Sequence, residues 1–306
     1  MSKHHHHHQE TSGKRMVITM LLNFSISIVE IIGGLISGSL SLISDALHNF
    51  SDGIAIIISY FALRLSHKDK TEFYTFGFKR AQILAAIINS GILLAISVYL
   101  VIAAFQKWLD PQPINGILML IVASFGLVAN LIGTVLLSQG AKNNMNIRSA
   151  YLHLLSDAVS SVAVILGAIA ITYYEQYWID PVLTLLIATY IGWESWKIVQ
   201  EAVNILMFKV PTGMSLDALQ NSLKKINHIE NVHHIHLWQL DEHDIHFQAH
   251  IKVTDALVSS TEEIAKAIEH CLHHQFGINH VTLQFETDQC ITGLQTTNTD
   301  CDKYVN

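Results

Sequence analysis

The chain has 306 residues, 50% of them hydrophobic and only 14% charged, well under the roughly 25% charge of a soluble globular domain. Mean hydropathy is +0.35, and a net charge of −7 without a basic cluster argues against nucleic-acid binding. The cysteines, Cys271, Cys290 and Cys301, form neither a C-x-x-C pair nor a disulfide framework.

Residues 1–13 are polar and predict a disordered tail, whose tract His4–His8 reads equally as a purification tag or as a metal-collecting segment. Six apolar stretches follow, at 15–37, 40–64, 81–106, 113–138, 149–173 and 179–206. Each is long enough for the ~20 residues that cross a bilayer. The first is too long, and too poor in a small-residue cleavage site, for a removable leader, so it reads as a span. Lys14, Arg15, Arg64, Lys68, Lys70, Lys79, Arg80, Lys142, Arg148 and Lys209 fall in alternate connections, and only Lys107 falls in the others. Basic residues accumulate on the cytoplasmic side. Both termini are therefore predicted to be cytoplasmic.

In the first span, Gly33 and Gly34 permit close helix approach, and Glu30 is either a proton or ion relay or a hydrogen-bonding partner of a neighbouring helix. Asn89 and Asn130, in the third and fourth spans, are expected to hydrogen-bond between helices. The second span carries Asp45, His48 and Asp52 on one helical stripe. The fifth carries His153 and Asp157, again in the pattern His-x-x-x-Asp. Residues four apart on a helix stand one turn apart on one face. Two such helices can therefore close two imidazoles and two carboxylates around one divalent cation, a tetrahedral set that zinc accepts. Ionisable groups at membrane depth are costly and mark ion pathways. The predicted site is therefore His48, Asp52, His153 and Asp157, with Asp45 as an accessory ligand, a tuner of His48, a proton relay, or the cap of a helix starting near Ser44. Ser-Asp-Ala at 44–46 and at 156–158 permits a second register that equates Asp45 with Asp157. The His-x-x-x-Asp register matches two ligand types and is preferred.

Polarity rises after Lys209-Val210-Pro211, and eleven of the 19 histidines lie between 228 and 280. Periodicity predicts a helix over 214–226, strands over 230–240 and 245–254, a helix over 260–275 and a strand over 279–286. That order implies a small open sheet with helices on one face. The expected domains are thus 1–13 (tail), 14–208 (membrane), 209–287 (cytoplasmic) and 288–306 (flexible tail).

The stretches Gly38-Ser39-Leu40-Ser41-Leu42-Ile43-Ser44-Asp45-Ala46-Leu47-His48-Asn49-Phe50-Ser51-Asp52 and His153-Leu154-Leu155-Ser156-Asp157 resemble the cation diffusion facilitators, specifically their bacterial zinc-exporting branch. Tyr74 to Ala81, Trp178-Ile179-Asp180-Pro181 and Val232 to Trp238 support the resemblance, which covers 15–287. It implies a homodimer of six-helix transmembrane protomers with an α+β ferredoxin-like cytoplasmic domain, exporting Zn(II) against protons by alternating access, with Cd(II) and Co(II) as related cargo. No cofactor is implied beyond the transported ion and a structural or regulatory zinc in the cytosolic domain. The family's transport ligands fall on His48, Asp52, His153 and Asp157. Its cytosolic ligands fall on His233, His250 and Glu286, with a further position near Glu262 or Glu263. The chain departs from the pattern at Phe78, where some relatives place a ligating histidine, and at His234, where an aspartate is common. A bacterial plasma (inner) membrane is the expected location, and a non-transporting metal sensor or modulatory subunit is the alternative function.

Overall fold

A computed structural model of the chain describes residues 6–138, 145–241 and 244–287. These fall into two compact units, Met1–Ala62 with Ala85–Val199 and Leu63–Leu84 with Gln200–Asn306.

Six long helices carry the apolar stretches: α1 (His6–Ser37), α2 (Leu40–Ser66), α3 (Ala81–Leu109), α4 (Gly116–Ser138), α5 (Met145–Tyr174) and α6 (Ile179–Leu206). Helices α2 to α6 are each long and apolar enough to cross a membrane, and the apolar part of α1 over Leu21–Ser37 adds a sixth segment. Their outer faces leave Ile88, Tyr99, Phe125, Val135 and Leu166 bare. Hydrocarbon rather than water suits such surfaces, and a helix satisfies its own backbone there. The tail predicted to be disordered is corrected over 6–13, where α1 already runs from His6. Once a span has nucleated, each further residue adds one hydrogen bond at little cost, so the helix outlasts its apolar signal. Residues 1–5, the 139–144 connection and the 288–306 tail lie outside the described residues.

Small residues set the helix spacing. A β-carbon at Gly33 of α1 would stand 2.7 Å from Val122 Cγ2 of α4, so these two helices meet where no side chain intervenes. Leu42, Met119, Val122, Val164, Ala168 and Ile171 form the apolar core among α2, α4 and α5.

The start of α2 is held from a distance. Ser39 caps it in the ordinary way, its Oγ accepting from Leu42 N at 3.2 Å. Asp180, fully buried in the first turn of α6, accepts from Leu40 N at 2.9 Å, Ser41 N at 3.1 Å, Ser39 Oγ at 2.6 Å and Ser41 Oγ at 2.7 Å. Lys107 at the end of α3 reaches Asp180 at 3.0 Å and also donates to the Gly38 carbonyl. One carboxylate thus holds two orphan helix N–H groups, two hydroxyls and one ammonium. Because α2 begins at Leu40, Asp45 lies inside the helix, and the reading of it as a cap is removed.

The second unit contains α7 (Leu216–Leu223), β1 (Ile229–Gln239), β2 (Ile245–Val253), α8 (Val258–Phe276) and β3 (His280–Glu286). The sheet order is β1-β2-β3, with β1 antiparallel and β3 parallel to the central β2. Leu219, Leu223, Val232, Phe247, Ile251, Ile268 and Leu272 fill the core between helices and sheet. Gly277, at φ 67°, ends α8, its N–H donating to the His273 carbonyl and the Ile278 N–H to the Leu272 carbonyl, both at 3.1 Å, a left-handed cap open to glycine at no steric cost. The predicted α-β-β-α-β order is present throughout.

Candidate metal centre

The two His-x-x-x-Asp turns face each other. Asp52 Oδ2 lies 3.6 Å from His48 Nε2 within α2 and 3.2 Å from His153 Nε2 across on α5. Asp157 Oδ2 lies 3.6 Å from His153 Nε2. His48, His153 and Asp157 each offer a ligand atom within 4.8 Å of the others. The Oδ2 atoms of Asp52 and Asp157 are buried and make no hydrogen bond, and neither does Nδ1 of His48. His48, His153 and Asp157 thus share one point, and Asp52 reaches both histidines beside it, so that nitrogen and oxygen donors of the kind zinc takes gather between α2 and α5.

The geometry follows from the local sequence. Asp45 accepts a hydrogen bond from Ser160 of α5, while Asp52 meets His153, so pairing along the seam runs in opposite senses and α2 and α5 are antiparallel there. His48 then stands level with Asp157. This register separates the two Ser-Asp-Ala motifs: Asp157 lies level with His48 among the converging groups, and Asp45 is turned to Ser160. Neither Asp45 nor Asp52 is in the group of three converging ligand atoms, but Asp52 contacts both histidines whereas Asp45 is held by Ser160. Asn130 is buried with both amide atoms unpartnered, which corrects its expected role as an interhelical hydrogen-bonder.

A second cluster lies on the sheet. His233 of β1 pairs directly with His250 of β2. His250 in turn faces Gln284 of the parallel β3, two residues before Glu286 on the same face. His233 Nε2 is 2.5 Å from Glu286 Oε1, and His250 Nδ1 is 3.3 Å from Glu286 Oε2. The three can hold a metal ion between them. Burial holds the His233 imidazole below its ordinary pKa, against the opposing pull of Glu286. It therefore stays neutral, the form that ligates metal. His234 takes a left-handed backbone, φ 47°, where the β1–β2 register shifts between His233 and His236. The further position anticipated near Glu262 or Glu263 is not brought here: both are exposed, and Glu262 pairs with Lys266 at 2.9 Å.

Sequence reasoning missed three groups. Ser160 and Asp180 act across more than a hundred residues, so no local pattern points to them. His246 is buried against Trp238, with ring centroids 5.4 Å apart, and Phe76 meets its edge at 5.7 Å.

Six apolar helices, two of which carry a His/Asp cluster, followed along the chain by a small α+β domain, define a membrane metal-ion carrier. Residues 16–207 match the cation efflux transmembrane domain, and residues 211–288 match the cation efflux protein cytoplasmic domain. The chain belongs to the cation efflux family. It is 35% identical over 278 residues to the cadmium, cobalt and zinc/H(+)-K(+) antiporter of Bacillus subtilis, covering 90% of this chain and 89% of the relative. It is 34% identical over 281 residues to the zinc transporter ZitB of Pectobacterium atrosepticum, with 91% and 87% covered. It is 31% identical over 277 residues to the metal cation efflux system protein CzcD of Cupriavidus metallidurans, with 90% and 87% covered. These relatives are named as metal transporters, and the chain is a multi-pass membrane protein of that transporter family rather than an enzyme.

Proposed function

We propose that this protein exports Zn(II), with Cd(II) and Co(II) as secondary cargo, from the bacterial cytoplasm in exchange for protons, by alternating access around His48, Asp52, His153 and Asp157. The observation that carries the reading is the meeting of Asp52 with both histidines, one from its own helix and one from α5.

Two neutral imidazoles and two carboxylates cancel the charge of a dication, so the loaded site is close to neutral in a medium of low dielectric. Emptying it leaves two buried anions, which is costly unless they are compensated. Protons from outside supply that compensation. Imidazole must be neutral to ligate metal, so acid weakens binding and the two cations compete for the same lone pairs. Antiport results when the protonated, empty site is the form that turns back inward. Nitrogen and oxygen ligands in a tetrahedron favour a d10 ion over Mn(II) or Mg(II), which take oxygen octahedra.

In this reading the protomers form a homodimer in the inner membrane, with both termini cytoplasmic and the lipid-facing helix surfaces against the bilayer. His233, His250 and Glu286 form a regulatory cytosolic zinc site, and Asp45 supports the transport site through Ser160. The test is zinc flux through the purified chain in liposomes, with and without a pH gradient. The reading predicts flux that an opposing proton gradient accelerates. Zinc binding without flux would leave a sensor or modulatory subunit instead.

A further inference from the structure

We propose that Glu30 of α1 is a proton-carrying site separate from the four converging side chains, taking up one proton when the metal ion leaves and releasing it when the next one binds. The inference rests on the export reading above.

Glu30 is 1% exposed, and its Oε2 makes no hydrogen bond. Its Oε1 is set against Gly126 of α4, in the space that a β-carbon at that position would occupy. Helix α4 offers it no counter-charge, because Gly116–Ser138 contains no acidic, basic or histidine residue. Asn130, one turn beyond Gly126 on the same face, is buried with its amide unpartnered. Among the described residues, the charged groups that act on Glu30 are Asp45 of α2 and Asp157 of α5, both carboxylates.

An ionised carboxylate in that setting lacks the cation and the donors that make a buried charge tolerable. Neutralisation is the remedy, and the ligands at hand decide by what. A metal or alkali ion needs several oxygen ligands at once, whereas α4, packed against Glu30, brings no carboxylate to it. A proton needs no such set. It binds the carboxylate oxygen, converting the carboxylate to a carboxylic acid, and leaves by the reverse step.

Coupling is electrostatic. A dication held by Asp157 and its partners opposes a proton on Glu30, and an empty site with unneutralised carboxylates favours one. Glu30 thus follows the occupancy of the site without ligating the metal.

The test counts protons released per Zn(II) bound by the full-length chain in detergent, using a pH indicator in weak buffer. Glu30→Gln is expected to bind zinc while releasing about one proton fewer than the parent, and in liposomes to lose the acceleration of zinc flux by an opposing pH gradient. Glu30→Asp is expected to keep that acceleration with a displaced pH midpoint, and it decides the matter should Glu30→Gln fail to fold. An unchanged proton count in Glu30→Gln, or an unchanged midpoint in Glu30→Asp, overturns the proposal. A parent chain that carries no zinc sinks the export reading instead, and the proton count then judges Glu30 alone.

Discussion

Replacing Asp180 with Asn tests whether one buried carboxylate holds the helix that carries His48 and Asp52. Asn preserves the shape but removes the charge, and turns an N–H₂ group toward a site where every observed neighbour is a donor. Lys107, with a side chain only 10% exposed, keeps a single carbonyl partner. Breaking one side of a buried ion pair costs about 3–5 kcal/mol, and a lost helix cap adds on the order of 1 kcal/mol. Because Asn retains one acceptor, we expect a loss of about 3 kcal/mol. In a membrane unit of this size that corresponds to a melting temperature lower by about 10 °C. The assay is thermal unfolding of the purified chain in detergent, with zinc affinity measured alongside. Lys107→Gln combined with Asp180→Asn should lose less than the two single changes together, because the second removes a charge the first has stranded. An Asp180→Asn chain that melts with its parent, or a strictly additive double variant, would refute the reasoning.

Further outcomes are expected elsewhere. His153→Asp should admit Mn(II) to liposomes at the expense of Zn(II), since it exchanges a nitrogen ligand for oxygen; unaltered uptake of both ions would contradict the selectivity argument. Glu286→Gln should weaken the cytosolic zinc site by at least about tenfold, read by competition with a fluorescent chelator, while His48→Ala leaves that site intact. Burial, with His280 nearby, holds the His246 imidazole below its ordinary value, and burial does the same for His233. The unfolded chain then binds more protons than the native one, so the stability these groups contribute is present above about pH 6.5 and lost as acid approaches their lowered values. The protection factors of β2 amides, taken relative to the intrinsic exchange rate at each pH, should fall between about pH 7.5 and about pH 5.5, and His246→Phe should reduce that fall.

How far the sequence disclosed this molecule depends on distance along the chain. The His-x-x-x-Asp turns were readable because a helix fixes what stands four residues away, whatever else the protein does. Alternation likewise announced β1 and β2, and the spacing of Leu219 and Leu223 announced α7. That the two turns meet was an inference from matching chemistry alone, and the antiparallel seam of Asp45 with Ser160 and Asp52 with His153 supplies its geometry. Asp180 shows the other limit. It stands more than a hundred residues from Ser39 and Ser41, so nothing near it reveals that it caps another helix. Asn130 reads as an interhelical hydrogen-bonder by residue type, yet its amide meets no partner. At β1, the register shift beside His234 interrupts the two-residue period, and a period says nothing about where it will break.

The most direct measurement is the position of Zn(II) bound to the full-length chain, located by anomalous scattering. Transport through this site requires an ion between α2 and α5 with His48, Asp52, His153 and Asp157 all at about 2.0–2.2 Å. An intramembrane ion bound elsewhere, or one that leaves either helix without a ligand to it, would contradict it.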